Sequence, residues 1–338
     1  MKISVIGLDL AKNVFQVHGV DEHGKAVLTK RLTRTQMAKF FATLPSCLIG
    51  MEACGSAHHW ARKLQACGHA VRLISPQFVK PYVKSNKNDR NDAEAICEAV
   101  SRPHMRFVPL KSPEQQALLA LHRGRSGLVK ARTMCANQIR GLLAEQGITL
   151  RVGLTEITRR VPSILEDADN GLPDLARSLF AQLLEYLRDL TQRIETLERE
   201  ILAWHRTHEA SRRLAAVPGI GPITATALVG AVGDARAFRN GRQFAAWIGL
   251  VPRQHSSGER TRLLGMSKRG DVYLRTLLIH GARSAINGHG RKATTSSVTW
   301  MDKLLQRRHK NVATVALANK NARIVWALLA HDREYQAG

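Results

Sequence analysis

Four acidic residues have the types and the spacing to hold a divalent cation. Asp9 closes the run Lys2-Ile-Ser-Val-Ile-Gly-Leu-Asp9, and Glu52 closes Cys47-Leu-Ile-Gly-Met-Glu52. Both runs have the apolar continuity of buried strands that finish on an acid. Asp89 and Asp92 stand three apart in Lys87-Asn-Asp-Arg-Asn-Asp-Ala93, where a helix begins, so the pair shares one helical face. Magnesium is a hard cation that takes oxygen ligands and keeps several waters, so a few carboxylates suffice. Two such ions about 3.5–4 Å apart stabilise both the attacking and the leaving oxygen of a phosphoryl transfer. A second candidate is Ser257, in Ser256-Ser257-Gly258 between Arg253 and Arg260. A serine hydroxyl is a weak nucleophile until a base, a metal or nearby positive charge stabilises its alkoxide. On residue chemistry alone, a Ser-Gly in a basic loop serves as well for phosphate binding or for a turn.

The charge narrows the substrate. The 338 residues carry 51 Lys and Arg against 27 Asp and Glu, a formal net charge of +24. Such an excess calls for a polyanion, most economically DNA or RNA. A composition of 44% apolar and 23% charged residues excludes a disordered chain. The longest apolar stretch, around residues 223–232, is far short of the roughly 20 that cross a bilayer. The N-terminus passes straight into a strand pattern without a secretory signal. Cys47, Cys54, Cys67, Cys97 and Cys135 form no CxxC pair, which suits structural thiols in a reducing compartment. A cytoplasmic, nucleoid-associated protein is the expectation.

The elements that must position these residues follow from periodicity. Strands are expected over 3–8, 14–20 and 26–32, then a helix over 34–44 and a strand over 48–51. A helix over 57–66, a strand over 71–74, a helix over 76–83 and a helix from Asp92 to about residue 101 complete the set. Three strands followed by alternating helix and strand is the order of a ribonuclease-H-like α/β sheet. In that fold one acid leaves the first strand, another the fourth, and the rest a later helix.

Residues 113–146 form a long basic helix ended by Gly147. Phe180, Leu183, Leu187, Leu190, Ile194, Leu197, Ile201 and Trp204 then recur at alternating spacings of three and four, an apolar heptad seam that predicts a coiled coil within or between chains. From about Arg212 the chain is Gly- and Arg-rich and mainly helical. Val217-Pro-Gly-Ile-Gly-Pro222 has the form of a helix-hairpin-helix whose glycines bring backbone amides to phosphate. The expected domains are 1–150 for metal-dependent catalysis, 151–207 for linker and coiled coil, and 208–338 for a C-terminal domain carrying the serine.

Taken in order, the motifs resemble one family, the DEDD transposases of the insertion-sequence one-ten family, with its eleven-eleven subgroup and the related pilin-gene invertases. The resemblance runs through Ile6-Gly-Leu-Asp-Leu-Ala-Lys-Asn13, Gly50-Met-Glu-Ala-Cys-Gly-Ser56 and Lys87-Asn-Asp-Arg-Asn-Asp-Ala93. It continues through Val217-Pro-Gly-Ile-Gly-Pro222, the segment from Phe244 to Gly258, and Ser267-Lys-Arg-Gly-Asp271 leading into Leu274-Arg275. The resemblance implies a RuvC-like domain, a coiled coil and a C-terminal transposase domain. It implies Asp9, Glu52, Asp89 and Asp92 as ligands of magnesium, two ions, and Ser257 as a nucleophile forming a phosphoserine link, in a composite site built across protomers. It implies donor and target DNA, a structured guide RNA encoded by the element, and a homo-oligomer, dimer or tetramer. The alternative is a RuvC-like nuclease that hydrolyses junction DNA with water. Gly7-Leu-Asp9-Leu-Ala-Lys12 also resembles the first phosphate loop of actin-like ATPases, whose second glycine-rich loop has no counterpart here. Binding to duplex DNA is expected to weaken with salt at a log–log slope of about −0.9 per phosphate contacted. A fluorescence titration at several ionic strengths measures that slope, and a flat profile would separate the charge from nucleic acid binding.

Overall fold

Alternation along the first strands sorts side chains to two faces of a sheet, because successive residues of a strand point to opposite sides. The computed structural model describes residues 2–84, 88–258, 260–289 and 300–336, in two compact units, Met1–Ser112 and Pro113–Gly338. The sheet of the first unit runs β3-β2-β1-β4-β5-β6. Its strands are β1 (Val5–Leu10), β2 (Val14–Val20), β3 (Ala26–Thr33), β4 (Leu48–Glu52), β5 (Ala70–Ile74) and β6 (Phe107–Val108). The first three form an antiparallel meander, β4 and β5 run parallel to β1, and β6 returns antiparallel on β5.

One face buries Ile6, Leu8, Phe15, Val17, Ile49 and Met51 in a core shared with α1 (Arg34–Ala42) and α2 (Ala57–Ala66). Phe15 meets Trp60 of α2 edge-on, with ring centroids 5.3 Å apart. The other face is covered by α4 (Asp89–Val100), whose Ile96, Ala99 and Val100 share a core with Ile74 and with Val79 of α3 (Pro76–Val79).

Three boundaries differ from expectation. β1 extends to Leu10, so Asp9 sits inside a strand, held in register opposite Gln16 of β2. α4 starts at Asp89 rather than Asp92, because the Asn88 side chain accepts a hydrogen bond from the Asn91 amide at 2.9 Å and caps the turn. The expected helix over 76–83 shortens to α3 and a 3-10 turn, Lys80–Tyr82, at Pro81, which has no amide hydrogen to continue the ladder.

The second unit is mainly helical. α5 (Pro113–Glu145) and α7 (Asp174–Thr207) pack antiparallel, since Arg125 donates to Glu198 at 2.7 Å while Cys135 contacts the Leu183 carbonyl at 3.5 Å. α6 (Leu154–Glu166) adds Ile157 and Val161 to the same core. Of the heptad seam, Phe180, Leu187, Leu190, Ile194 and Ile201 are at most 3% exposed, buried within the chain. α5 therefore belongs with the helical unit, whereas the sequence grouped it with the sheet.

The remaining helices are α8 (Glu209–Ala215), α9 (Pro222–Val232), α10 (Gly241–Ile248), α11 (Val272–His289), α12 (Trp300–Arg307) and α13 (Lys310–Ala330). Leu214, Leu228, Phe244, Leu278 and Val325 centre their core. A hairpin, β7 (Pro252–Gln254) and β8 (Leu263–Met266), rises between α10 and α11 in the chain. No helix among the described residues is long and apolar enough to cross a membrane.

A buried polar node ties α5 to α9 and α11. His122 Nδ1 lies 3.0 Å from the Tyr273 hydroxyl and Nε2 lies 3.0 Å from Thr226 Oγ1. Thr226 already donates to the Pro222 carbonyl at 2.8 Å. Nε2 is therefore the donor to Thr226, and Nδ1 accepts from Tyr273. Burial, then Arg125, pushes the His122 pKa from 6.5 down to about 4.

The folded state thus refuses a proton that the unfolded chain accepts below pH 6.5. Stability of this unit is expected to fall as pH drops from 6.5 towards 4, by about 3 kcal/mol on completion. Thermal melts followed by circular dichroism check this, and His122→Gln should flatten that part of the profile.

Candidate active site

Asp9 and Glu52 come to one edge of the sheet because β1 and β4 run parallel with Gly7 opposite Gly50 and Leu8 opposite Met51. The next position on each strand is the acid. Alternation puts Gly7, Asp9, Gly50 and Glu52 on the face opposite the Ile6, Leu8, Ile49 and Met51 side chains. Both acids are half-buried.

That face is where α4 lies, and two glycines set how near. A methyl group built on Gly7 would sit 2.0 Å from the Ala93 carbonyl oxygen and 2.4 Å from the Cys97 amide nitrogen. One built on Gly50 would sit 2.7 Å from Val100 Cβ. Cys97 Sγ reaches the Val5 carbonyl at 3.8 Å. Ala93 and Cys97 sit against Gly7 and Val100 sits against Gly50, so the helix crosses β1 and β4 at the level of the two glycines. Its first turn carries Asp89, exposed, and Asp92, half-buried. Acids in the first turn also complement the positive end of the helix.

Neighbouring groups corroborate this geometry. Burial is the main cause pushing the Cys54 thiol pKa up, and the charges of Glu52 and Asp9 add to it, so both carboxylates are within its electrostatic reach. His18, opposite Gly7 on β2, is buried with its pKa lowered chiefly by burial; Glu94 acts to raise it and Arg90 to lower it. Its Nδ1 has no hydrogen-bond partner among the described residues. All four candidate acids offer hard oxygen donors, the set magnesium takes. Among the described residues, however, no three His, Cys, Asp or Glu side chains converge closely enough to hold a metal ion. The fold brings Asp9 and Glu52 to neighbouring positions on the face that α4, the helix bearing Asp89 and Asp92, covers, and among the described residues the four form no ligand cluster.

In the second unit the two serines are unlike. Ser256 Oγ accepts from Gln254 Nε2 at 3.0 Å and from the Arg262 amide at 3.3 Å, tying it into the hairpin. Ser257 is exposed at the turn, where its carbonyl accepts from the Arg260 amide at 3.2 Å. Gly258 follows at φ +55°. The glycines of the expected helix-hairpin-helix divide their roles. Gly219, at φ +88°, lies against Gly281 of α11, where a methyl on Gly281 would be 1.8 Å from the Gly219 carbonyl oxygen. Gly221 caps α9 with open space around it.

Sequence reasoning did not single out Gly7 and Gly50 as the pair that admits α4, nor His18 beneath that helix. Identical register positions on two parallel strands, both glycine, were the available signal.

A family model described as a transposase, DEDD_Tnp_IS110, matches residues 6–147, and one described as transposase of the IS116/IS110/IS902 family matches residues 211–296. The chain is 56% identical to a probable family 20 transposase of Pseudomonas aeruginosa, over the full length of both. It is 47% identical to the transposase for insertion sequence element IS1111A of Coxiella burnetii, covering 99% of this chain and 92% of that protein. It is 44% identical to the transposase for IS1328 of Yersinia enterocolitica, over 96% of each. The protein is a transposase, an enzyme that cuts and joins DNA. Within that class it belongs to the IS110 family of insertion-sequence transposases.

Gly7→Ala is expected to lift α4 and destabilise the first unit by about 1–3 kcal/mol or more, as overpacking does. Hydrogen exchange across β1 and α4 reads this locally. Gly55→Ala is the control, since nothing lies within 4 Å of its added methyl.

Proposed function

We propose that the first unit is a ribonuclease-H-like, RuvC-type domain in which Asp9, Glu52, Asp89 and Asp92 bind magnesium, and that Ser257 is the nucleophile of DNA strand exchange. The observation that carries the reading is the meeting of the Asp9 and Glu52 strand positions at one sheet edge, on the face against which α4, the helix bearing Asp89 and Asp92, is packed. The strand order β3-β2-β1-β4-β5 and the two-sided helical cover support the fold assignment. Bound magnesium supplies neutralisation of the phosphate and stabilisation of the attacking and leaving oxygens. The carboxylates' task is to hold that charge at the sheet edge.

In the proposed step Ser257 Oγ bonds to phosphorus as the bond from phosphorus to the departing strand's oxygen breaks. The serine proton passes to water, and the departing oxygen takes a proton to leave as a hydroxyl. A hydroxyl of the incoming strand then attacks the phosphoserine and releases the serine. Each step exchanges one phosphoester for another, so joining needs no external energy source. Exposure of Ser257 favours it over Ser256, whose hydroxyl oxygen already accepts two hydrogen bonds.

The partners of this reading are donor and target DNA and a structured guide RNA. Where RNA pairing reads sequence, the protein contacts backbone and shape, which suits a chain with +24 net charge and 5% aromatic residues. Assembly is as a homo-oligomer. The heptad seam is buried within the chain, so assembly falls to another surface.

Labelled donor and target DNA with magnesium and the flanking transcript test the proposal on denaturing gels. Wild type is expected to give a protein–DNA adduct that Ser257→Ala abolishes. Asp9→Asn and Glu52→Gln should lower strand transfer by about 10²-fold or more while leaving binding intact, the scale of losing electrostatic stabilisation of the transition state. Free magnesium-dependent ends from both wild type and Ser257→Ala, with no adduct, would make the protein a hydrolytic nuclease. Normal recombination by Asp9→Asn would remove the metal site.

A further inference from the structure

Arg275 is the one Lys, Arg, Asp or Glu among the described residues that is fully buried, at 7% exposure. No carboxylate among the described residues pairs with it. A guanidinium withdrawn from water without a counter-ion is disfavoured, and an apolar side chain filling the same space would avoid that cost. What holds it is backbone. Nη1 donates to the Ile248 carbonyl at 3.0 Å and to the Arg269 carbonyl at 3.4 Å.

Those carbonyls flank the two legs of the β7–β8 hairpin. Ile248 ends α10 just before the first leg, and Arg269 follows the second. At the same level Gly249 and Gly270 let the legs touch. A methyl on Gly249 would be 1.8 Å from the Arg269 carbonyl oxygen, and one on Gly270 would be 1.9 Å from that of Trp247. Both glycines have positive φ, +83° and +93°. The Ser267 amide donates to the Val251 carbonyl at 2.8 Å and the Lys268 amide to Gly249 at 3.2 Å. Beyond this stalk the described residues from Pro252 to Gly265 are all exposed. The direction of the hairpin is therefore set at its base, and the Arg275 cation also complements the carbonyl end of α10.

We propose that Arg275 is a positioning residue for strand exchange. Its buried guanidinium clamps the stalk of the hairpin and so fixes where Ser257 is presented. The inference rests on the reading of Ser257 as nucleophile.

Arg275→Lys tests it in the full-length protein, because lysine keeps the charge but lacks the planar fork. Adduct formation is expected to fall about 10²-fold, the scale of a roughly 1 Å misplacement, with DNA affinity unchanged. Hydrogen exchange at the His255, Arg260 and Ser267 amides should quicken. Arg275→Ala should regain adduct formation when guanidinium ion is added, and Ser257→Ala should not.

Arg275→Lys reacting at the wild-type rate would overturn the proposal, as would a lost rate with unchanged exchange in the hairpin. A low melting temperature in Arg275→Ala without guanidinium rescue, alongside normal Arg275→Lys, would make the residue purely structural and likewise overturn it. Should Ser257→Ala cut and join as wild type does, the nucleophile reading falls. The exchange measurement would still report whether Arg275 holds the stalk.

Discussion

The close approach of α4 to the sheet is the constraint on which the candidate metal site depends. Gly7 and Gly50 face each other across β1 and β4, and together they open a shallow furrow of bare backbone. A helix seated there lies close against the face that carries Asp9 and Glu52. Any side chain at either position would meet the helix backbone or Val100 and lift α4 away, taking Asp89 and Asp92 with it. The apolar cores on the two sides then have little freedom. Ile6, Leu8, Ile49 and Met51 alternate with the glycines and acids and fill the core shared with α2.

The two units handle exposure in opposite ways, and each suits phosphate chemistry. Asp9 and Glu52 lie half-buried at the edge of a rigid sheet, where the field of a carboxylate is less screened than in water. The described residues of the second unit's hairpin from Pro252 to Gly265 are exposed, cationic at Arg253, Arg260 and Arg262, with Ser257 at the turn. Rigidity for that hairpin comes from its base, through two glycines in left-handed conformations and a buried arginine between carbonyls. A transposase must hold strands while bonds are exchanged, and a hairpin aimed from a fixed stalk is one way to reach a phosphate without burying it.

The α5–α7 pair shows how an apolar pattern can be satisfied locally. A heptad seam states only that a partner helix is needed. Here α5 supplies it, a helix of the same chain whose own apolar positions, such as Cys135, Ile139 and Leu143, are buried in the same core. The pairing is specified by more than grease, since Arg125 and Glu198 form a partly buried ion pair across it. The His122 node then joins this hairpin to α9 and α11, so that the helical unit packs as one body.

By itself the sequence determined the order and type of the elements from β1 to α5 apart from β6, the long helix that carries the heptad seam, the acids at the strand ends and the excess of positive charge. These rest on local periodicity, turn chemistry and charge, which act between residues close in sequence. Tertiary structure alone decided which helix fills the heptad seam, how near α4 comes to β1 and β4, and that Arg275 holds the serine hairpin. Each of those depends on contacts between residues far apart in the chain, such as Gly7 with Ala93, Cys135 with Leu183, or Arg275 with Ile248. A glycine or an arginine carries no local mark of such a contact, because the space it fills is defined by another part of the fold.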